Sequence, residues 1–167
     1  MEEPELYELL IRYNQIFKDT DEVYHRFANA FGLSNCAFWI LYLLRETDLQ
    51  YTQAGICERL LLPRQTVNSA LKNLQALGYI QLESDGKNQK NKFLHLTLEG
   101  EKFAVSTIDQ VFLVEQHALK QFSPQERKAF IEVNEKYCRG LREAAAKIIS
   151  DTSKKESPSK PCKEESL

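Results

Sequence analysis

A chain of 167 residues can bury one real core and is too short to hold two independent ones. Hydrophobic residues make up 43% and charged residues 28%, with seven Tyr, nine Phe and one Trp, a globular balance that excludes wholesale disorder. The start, MEEPELYELL, is acidic where a secretory signal would be basic, and the longest apolar run, Cys36 to Leu44, is too short to cross a bilayer, so a cytoplasmic protein with no membrane partner is expected.

The first element in chain order is a long amphipathic helix. Leu6, Leu9, Leu10, Tyr13, Ile16, Phe17, Thr20, Val23, Tyr24, Phe27 and Phe31 recur at three- and four-residue steps until Gly32. Ser34 can cap a second helix, NCAFWILYLLRE, apolar nearly all round and therefore the buried centre. Thr52 can cap a short third helix, QAGICERL. A fourth follows with Pro63 in its first turn and Val67, Ala70, Leu71, Leu74 and Leu77 at helical spacing up to Gly78. Its other face shows Arg64, Gln65, Thr66, Asn68, Ser69 and Lys72, which can all donate hydrogen bonds and include no acid.

YIQLE and KFLHLTL alternate apolar and polar residues on either side of SDGKNQKN, the pattern of a hairpin whose loop carries Lys87 and Lys90. Thr97 can cap a fifth helix to about Phe122, and Ser123, Pro124 and Glu126 form a capping box for a sixth, to about Ser150. From residue 151 to 167, Ser, Pro, Lys and Glu mix as in disordered tails. The fold class expected is mainly α with a small β-hairpin wing.

Charge is unevenly placed. From Arg59 to Lys92, six basic residues against two acidic ones give +4, which leaves −6 for the rest of a chain at −2. An anionic partner for that stretch fits, and DNA is favoured over a merely solvated face because the cluster coincides with both the donor-faced helix and the hairpin loop. Catalysis has no support: there is no Gly-rich phosphate loop, no G-x-S-x-G elbow and no metal-ligand spacing, so neither an enzyme nor a cofactor or metal is expected. His25, His95 and His117 show no i, i+4 pairing. Cys36, Cys57, Cys138 and Cys162 lack C-x-x-C spacing and read as reduced thiols, the first three as small hydrophobes within apolar helical stretches.

This order of elements resembles the multiple antibiotic resistance regulator (MarR) family of bacterial transcription factors across residues 5–150. The stretch YTQAGICERLLLPRQTVNSALKNLQALGYIQLESDGKNQKNKFLHLTLEG is similar to the family's helix-turn-helix and wing, and its closing LTLEG is particularly characteristic. The resemblance implies a winged helix-turn-helix repressor that binds a pseudo-palindromic double-stranded operator as a homodimer and is released by a small effector. It assigns Arg64, Gln65, Thr66, Asn68, Ser69 and Lys72 to the major groove, and Lys87 and Lys90 to the wing. Where the family's wing carries an aspartate and an arginine, this chain has Asn88 and Lys90. Leu61 stands where the family commonly places a turn glycine, and needs a turn of negative φ or some strain. Pro63 replaces a capping hydroxyl.

The implied organisation is a helical dimerisation region, 1–32 and 98–150, a winged helix-turn-helix domain, 33–97, and a disordered tail, 151–167. Tyr13, Tyr24, Trp39, Tyr42 and His117 are candidates for an effector cleft, or else simply fill the core. A winged-helix module that binds another protein is the alternative of a different class.

Overall fold

In the computed structural model the described residues are 3–46, 49–84 and 92–155. The chain forms two compact units, residues 1–115 and 116–167.

The first unit begins with α1, Glu3–Ala30. Gly32, at φ 70°, closes it: Leu33 N–H reaches back to the Ala28 carbonyl and Gly32 N–H to that of Asn29. These 6→1 and 5→2 bonds satisfy carbonyls the helix leaves open, and they need the left-handed conformation that glycine adopts without strain. Helix α2, Asn35–Glu46, follows with the Ser34 hydroxyl accepting from Ala37 N–H at 3.2 Å. Phe38, Ile40 and Leu41 are fully buried, so α2 is the centre that its near-continuous apolar sequence demands.

Helix α3, Gln53–Leu60, is capped by Thr52, whose hydroxyl accepts from Gly55 N–H. Helix α4, Arg64–Ala76, packs Val67, Ala70, Leu71 and Leu74 inward. Pro63 stands one position before that helix, at its cap, with φ −57° and no side-chain hydrogen bond, rather than inside the first turn. Leu61, between the two helices, takes φ 54° and ψ 36°. Of the two options open to a leucine there, the chain has taken the strained one.

Three antiparallel strands form one sheet in the order β1-β3-β2, where β1 is Tyr51–Thr52, β2 Ile80–Ser84 and β3 Lys92–Leu96. Ile80 pairs with Leu96 and Leu82 with Leu94, as the period-two patterns require, while Tyr51 adds β1 to the far side of Leu94. Two residues are too short to show a period, so β1 was not legible among the sequence's strand patterns.

The helix expected from Thr97 to about Phe122 is instead two: α5, Leu98–Ser106, and α6, Ile108–Lys120. Thr107 separates them at φ −125° and ψ −70°, outside the helical region. Its hydroxyl donates to the Phe103 carbonyl at 2.6 Å, which supplies locally a bond the broken ladder loses, and the residue is buried. Apolar periodicity runs unbroken through this point, which is why the sequence does not show the break.

In the second unit, α7, Pro124–Lys155, starts from a capping box: Ser123 N–H donates to Glu126 Oε2 at 2.8 Å and Glu126 N–H to Ser123 Oγ at 3.3 Å. The Ser123 backbone bond holds the Glu126 carboxyl below the ordinary glutamate range. The helix continues through Lys155 rather than ending near Ser150, so residues 151–155 are helical and only 156–167 of the expected tail lie outside the described residues. Cys138, expected to be buried, is exposed on α7, whereas Cys36 is buried and Cys57 half-buried in the first unit. No single helix among the described residues is long and apolar enough to cross a membrane.

Candidate nucleic-acid interface and aromatic cluster

The anchoring of α4 determines what it shows to solvent. With Val67, Ala70, Leu71 and Leu74 in the core, the helical period turns Arg64, Gln65, Asn68, Ser69 and Lys72 to one outward stripe, with Thr66 on its flank. All six are exposed. The Ser69 hydroxyl bonds the Gln65 carbonyl within the helix, while the other polar heads stand free of ion pairs among the described residues. Gln65, Thr66, Ser69 and Asn73 line one side of a concavity of about 800 Å³ whose other wall is Ser34 and Cys36 at the start of α2. The Cys36 thiol lies 4.0 Å from the Thr66 carbonyl, and burial, reinforced by Cys57, pushes it up from the usual thiol range. A buried, poorly ionised thiol is a packing residue in its present setting.

Residues 85–91, between β2 and β3, lie outside the described residues, and Lys87 and Lys90 with them. The strands pack on the helical core through Ile80 and Leu94, and the start of β2 is further tied to it by backbone bonds. Tyr79 N–H donates to Leu74, and Tyr79's carbonyl accepts from Thr97 N–H at 3.0 Å. Thr97 caps α5 by accepting from Gly100 N–H. Gly100 has no room for a side chain, since a Cβ there would overlap the Tyr79 carbonyl. The Tyr79 ring stacks on Phe103 with centroids 4.3 Å apart. That close approach is the structural content of the LTLEG segment.

Of the five aromatic candidates, three are brought together. Tyr24 on α1 lies 4.9 Å, centroid to centroid, from Trp39 on α2, and Trp39 lies 5.1 Å from Tyr42, edge to face. Phe112 on α6 completes the row, 4.8 Å from Tyr42. Tyr13 is half-buried farther along α1, and His117 is exposed in the second unit with its ring 3.4 Å from the Gln121 amide.

Two groups absent from the sequence candidates organise this cluster. Glu115 accepts from Tyr24 Oη at 2.7 Å and from Tyr42 Oη at 3.0 and 2.8 Å, so one carboxylate ties α1, α2 and α6 together. Burial first, then the hydrogen bond to Glu115 and its charge, raise both phenols far above their ordinary range and keep them neutral. One turn after Tyr42, Arg45 forks onto Asp109 through Nε and Nη2 at 2.7 and 2.8 Å and reaches Glu101 through Nη1 at 2.9 Å. These bonds hold Asp109 below the usual carboxylate range and raise Arg45. Glu101 and Asp109 sit on either side of Thr107, so the fork braces the α5–α6 break. The sequence signal was the step Trp39, Tyr42, Arg45 on one face of α2. It remained mute because the acids that answer it lie more than fifty residues away.

The family model described as MarR family matches residues 31–90, from just after α1 into the stretch between β2 and β3. The fold is similar to that of a MarR family regulator from Neisseria meningitidis, at 25% identity and a TM-score of 0.66 over 89% of this chain and 98% of that one. A MarR family transcription regulator at 19% identity superposes with a TM-score of 0.72 over 87% of this chain and 95% of that chain, and a MarR family regulator from Listeria monocytogenes complexed with a 26mer DNA with 0.62 at 23% identity over 90% and 97%. These last two speak for the fold alone. No curated protein matches the sequence.

Proposed function

We propose that this chain is a MarR family transcription regulator, a sequence-specific repressor that binds a pseudo-palindromic operator as a homodimer and lets go when a small effector binds. The observation that carries the DNA-reading part is the acid-free, exposed donor face of Arg64, Gln65, Thr66, Asn68, Ser69 and Lys72 on a helix whose opposite side is packed into the core. A rigidly seated helix with amide, hydroxyl and guanidinium groups outward can lie in a major groove and pair with base edges, Arg with guanine and Asn or Gln with adenine. Lys87 and Lys90 then follow the phosphates or the minor groove as charge without the flat fork of Arg. The neighbour from Listeria monocytogenes, solved with DNA, supports this reading by its fold.

The dimer rests on exposed apolar side chains. Leu6, Leu9 and Leu10 on α1 and Val133, Leu141 and Ile148 on α7 are each at least 40% exposed. In the second unit, Phe122, Ala129, Phe130 and Val133 line an apolar hollow of about 370 Å³. Such area on a folded monomer marks an interface, and two-fold closure is the commonest way to cover it. Residues 1–32 with 98–150 would then form the dimer region and 33–97 the reading domain, working in the cytoplasm. Two readers related by a two-fold axis need half-sites about one helical turn, roughly 10 base pairs, apart.

The test is a binding titration against operator DNA selected from the source genome, at two salt concentrations. Arg64→Ala should cost about tenfold or more and relax sequence preference, as loss of one bidentate base contact does. Lys90→Ala should weaken all duplexes alike and flatten the salt dependence. If both variants bind like the wild type, this face does not read DNA. A monomer in light scattering at micromolar concentration would refute the dimer.

A further inference from the structure

Building on the reading of this chain as an effector-released regulator, we infer that the effector is an organic cation, an ammonium carried on an apolar or aromatic body, which seats on the ring cluster of α1, α2 and α6 with its charge against Glu115.

The first support is charge. A carboxylate offers about four acceptor positions. Glu115 receives two phenol hydrogens, that of Tyr24 on Oε1 and that of Tyr42 shared between both oxygens, so its Oε2 receives only Tyr42. Both donors are neutral phenols, so neither brings a positive charge to the carboxylate. The guanidinium one turn away does not offset it, because Arg45 is committed to Asp109 and Glu101. Glu46 adds a second negative field at Tyr42. A purely structural tie between three helices has no use for a charge left unbalanced among aromatic rings, whereas a cation-binding place requires one.

The second support is the surface around that charge. Tyr24, Trp39, Tyr42, Phe112 and Glu115 are all half-buried, so each still shows part of itself to solvent. Ring faces carry negative electrostatic potential and attract a cation within about 6 Å of their centroids, best for tryptophan. Four rings and a carboxylate that has an acceptor position left therefore act in the same sense. A carboxylate or phenolate ligand would meet repulsion from Glu115 and Glu46 at the same place.

The chain's single tryptophan is Trp39, so its emission reports this site and no other. The full-length protein is titrated with benzyltrimethylammonium, with 3-phenylpropionate and benzyl alcohol as anionic and neutral counterparts of similar size. Saturable change with the ammonium at concentrations at least tenfold below those needed for the other two is expected. Glu115→Gln should weaken the ammonium at least tenfold. Tyr42→Phe, which keeps the ring and frees positions on both carboxylate oxygens, should bind it as well as wild type or better, and this variant decides the matter if Glu115→Gln proves unfolded by circular dichroism. Equal response to the three probes, an unchanged ammonium affinity in folded Glu115→Gln, or weaker ammonium binding in Tyr42→Phe would overturn the inference. Adding the same probes to the protein–operator complex separates it from the wider reading. Ammonium binding that leaves DNA bound keeps the cation site and ends effector release by it. DNA released by the anion or the alcohol while the ammonium leaves Trp39 silent ends the cation site and keeps release.

Discussion

Two glycines in this chain hold the same local position, and the structure expects opposite outcomes from the same substitution. Gly55 and Gly100 each stand three residues after a threonine cap, and each donates its backbone N–H to that threonine's hydroxyl, at 3.1 and 3.0 Å. Helix propensity alone says that Gly→Ala stabilises either helix by about 0.5–1 kcal/mol. At Gly55 a new Cβ would meet Thr52 Oγ1 at 3.6 Å and Tyr51 Cδ1 at 3.8 Å, ordinary contact distances. Gly55→Ala should therefore stabilise by about 0.5–1 kcal/mol.

At Gly100 the new Cβ would overlap the Tyr79 carbonyl oxygen and press on the backbone carbon behind it. Neither partner can move freely. Tyr79 is pinned by its N–H to Leu74, by its carbonyl to Thr97 and by its ring to Phe103. Relief requires breaking at least the Thr97–Tyr79 backbone bond, about 1 kcal/mol, and displacing the stacked ring, about 1 kcal/mol. Strain and displacement of the Thr97 cap add roughly 2 kcal/mol. Against a propensity gain of about 1 kcal/mol, Gly100→Ala should destabilise by about 3 kcal/mol. Urea unfolding at fixed protein concentration, followed by far-ultraviolet circular dichroism, gives both values from midpoint and slope. If Gly100→Ala is neutral or stabilising, the close packing of α5 on the strand start is wrong, and with it the account of how the wing is anchored.

Leu61→Gly should stabilise by about 0.5 kcal/mol, because relief of a left-handed leucine, roughly 1–2 kcal/mol, outweighs the added freedom of the unfolded chain and the little burial of a side chain that is 88% exposed. Leu61→Ala, which keeps the Cβ, should not; equal gains from both would assign the effect to the apolar side chain instead of φ. Removing the fork by Arg45→Met should cost about 1 kcal/mol near neutral pH, the partly exposed setting limiting its worth. Since Arg45 depresses the folded pKa of Asp109, the stability it brings is present above the unfolded aspartate value near 4 and is lost as pH falls through the lower folded value. The urea midpoints of wild type and Arg45→Met should thus converge on acidification below about pH 4, and a gap that persists at pH 2 would show that packing, not charge, is what the arginine supplies.

The sequence showed most of the fold because most elements state themselves locally. Thr52, Ser34, Thr97 and Ser123 are caps whose hydroxyls do what their positions imply. The outward face of α4 was readable because Val67, Ala70, Leu71 and Leu74 fix the opposite face by their spacing. What escaped was set by partners distant in the chain. Thr107 breaks a helix whose apolar period continues through it, and β1 exists only because β3 lies beside it. Tyr24, Trp39 and Tyr42 could be named as a group, but not Glu115, because nothing around residue 115 distinguishes it from other acids on an exposed helix face.

The same long-range bonds bear on how the reading helix can be controlled. Helix α2 supports α4 through its buried side, while on its half-buried stripe Tyr42 and Arg45 hold α5 and α6 through directional bonds to charged groups and Trp39 packs on Tyr24 of α1. Apolar packing tolerates small sliding, but a forked guanidinium and a carboxylate shared by two phenols have one good geometry. A shift of α6 at the Thr107 break would therefore either carry α2 with it or exchange these bonds for others. On the proposed function, a ligand that competes for Glu115 would act on that coupling itself. The core of this unit could have been closed by hydrocarbon alone. Its charged groups instead lie where α2 meets α5 and α6, and on the proposed function that is where a ligand would have to act to reach the α4 donor face through α2.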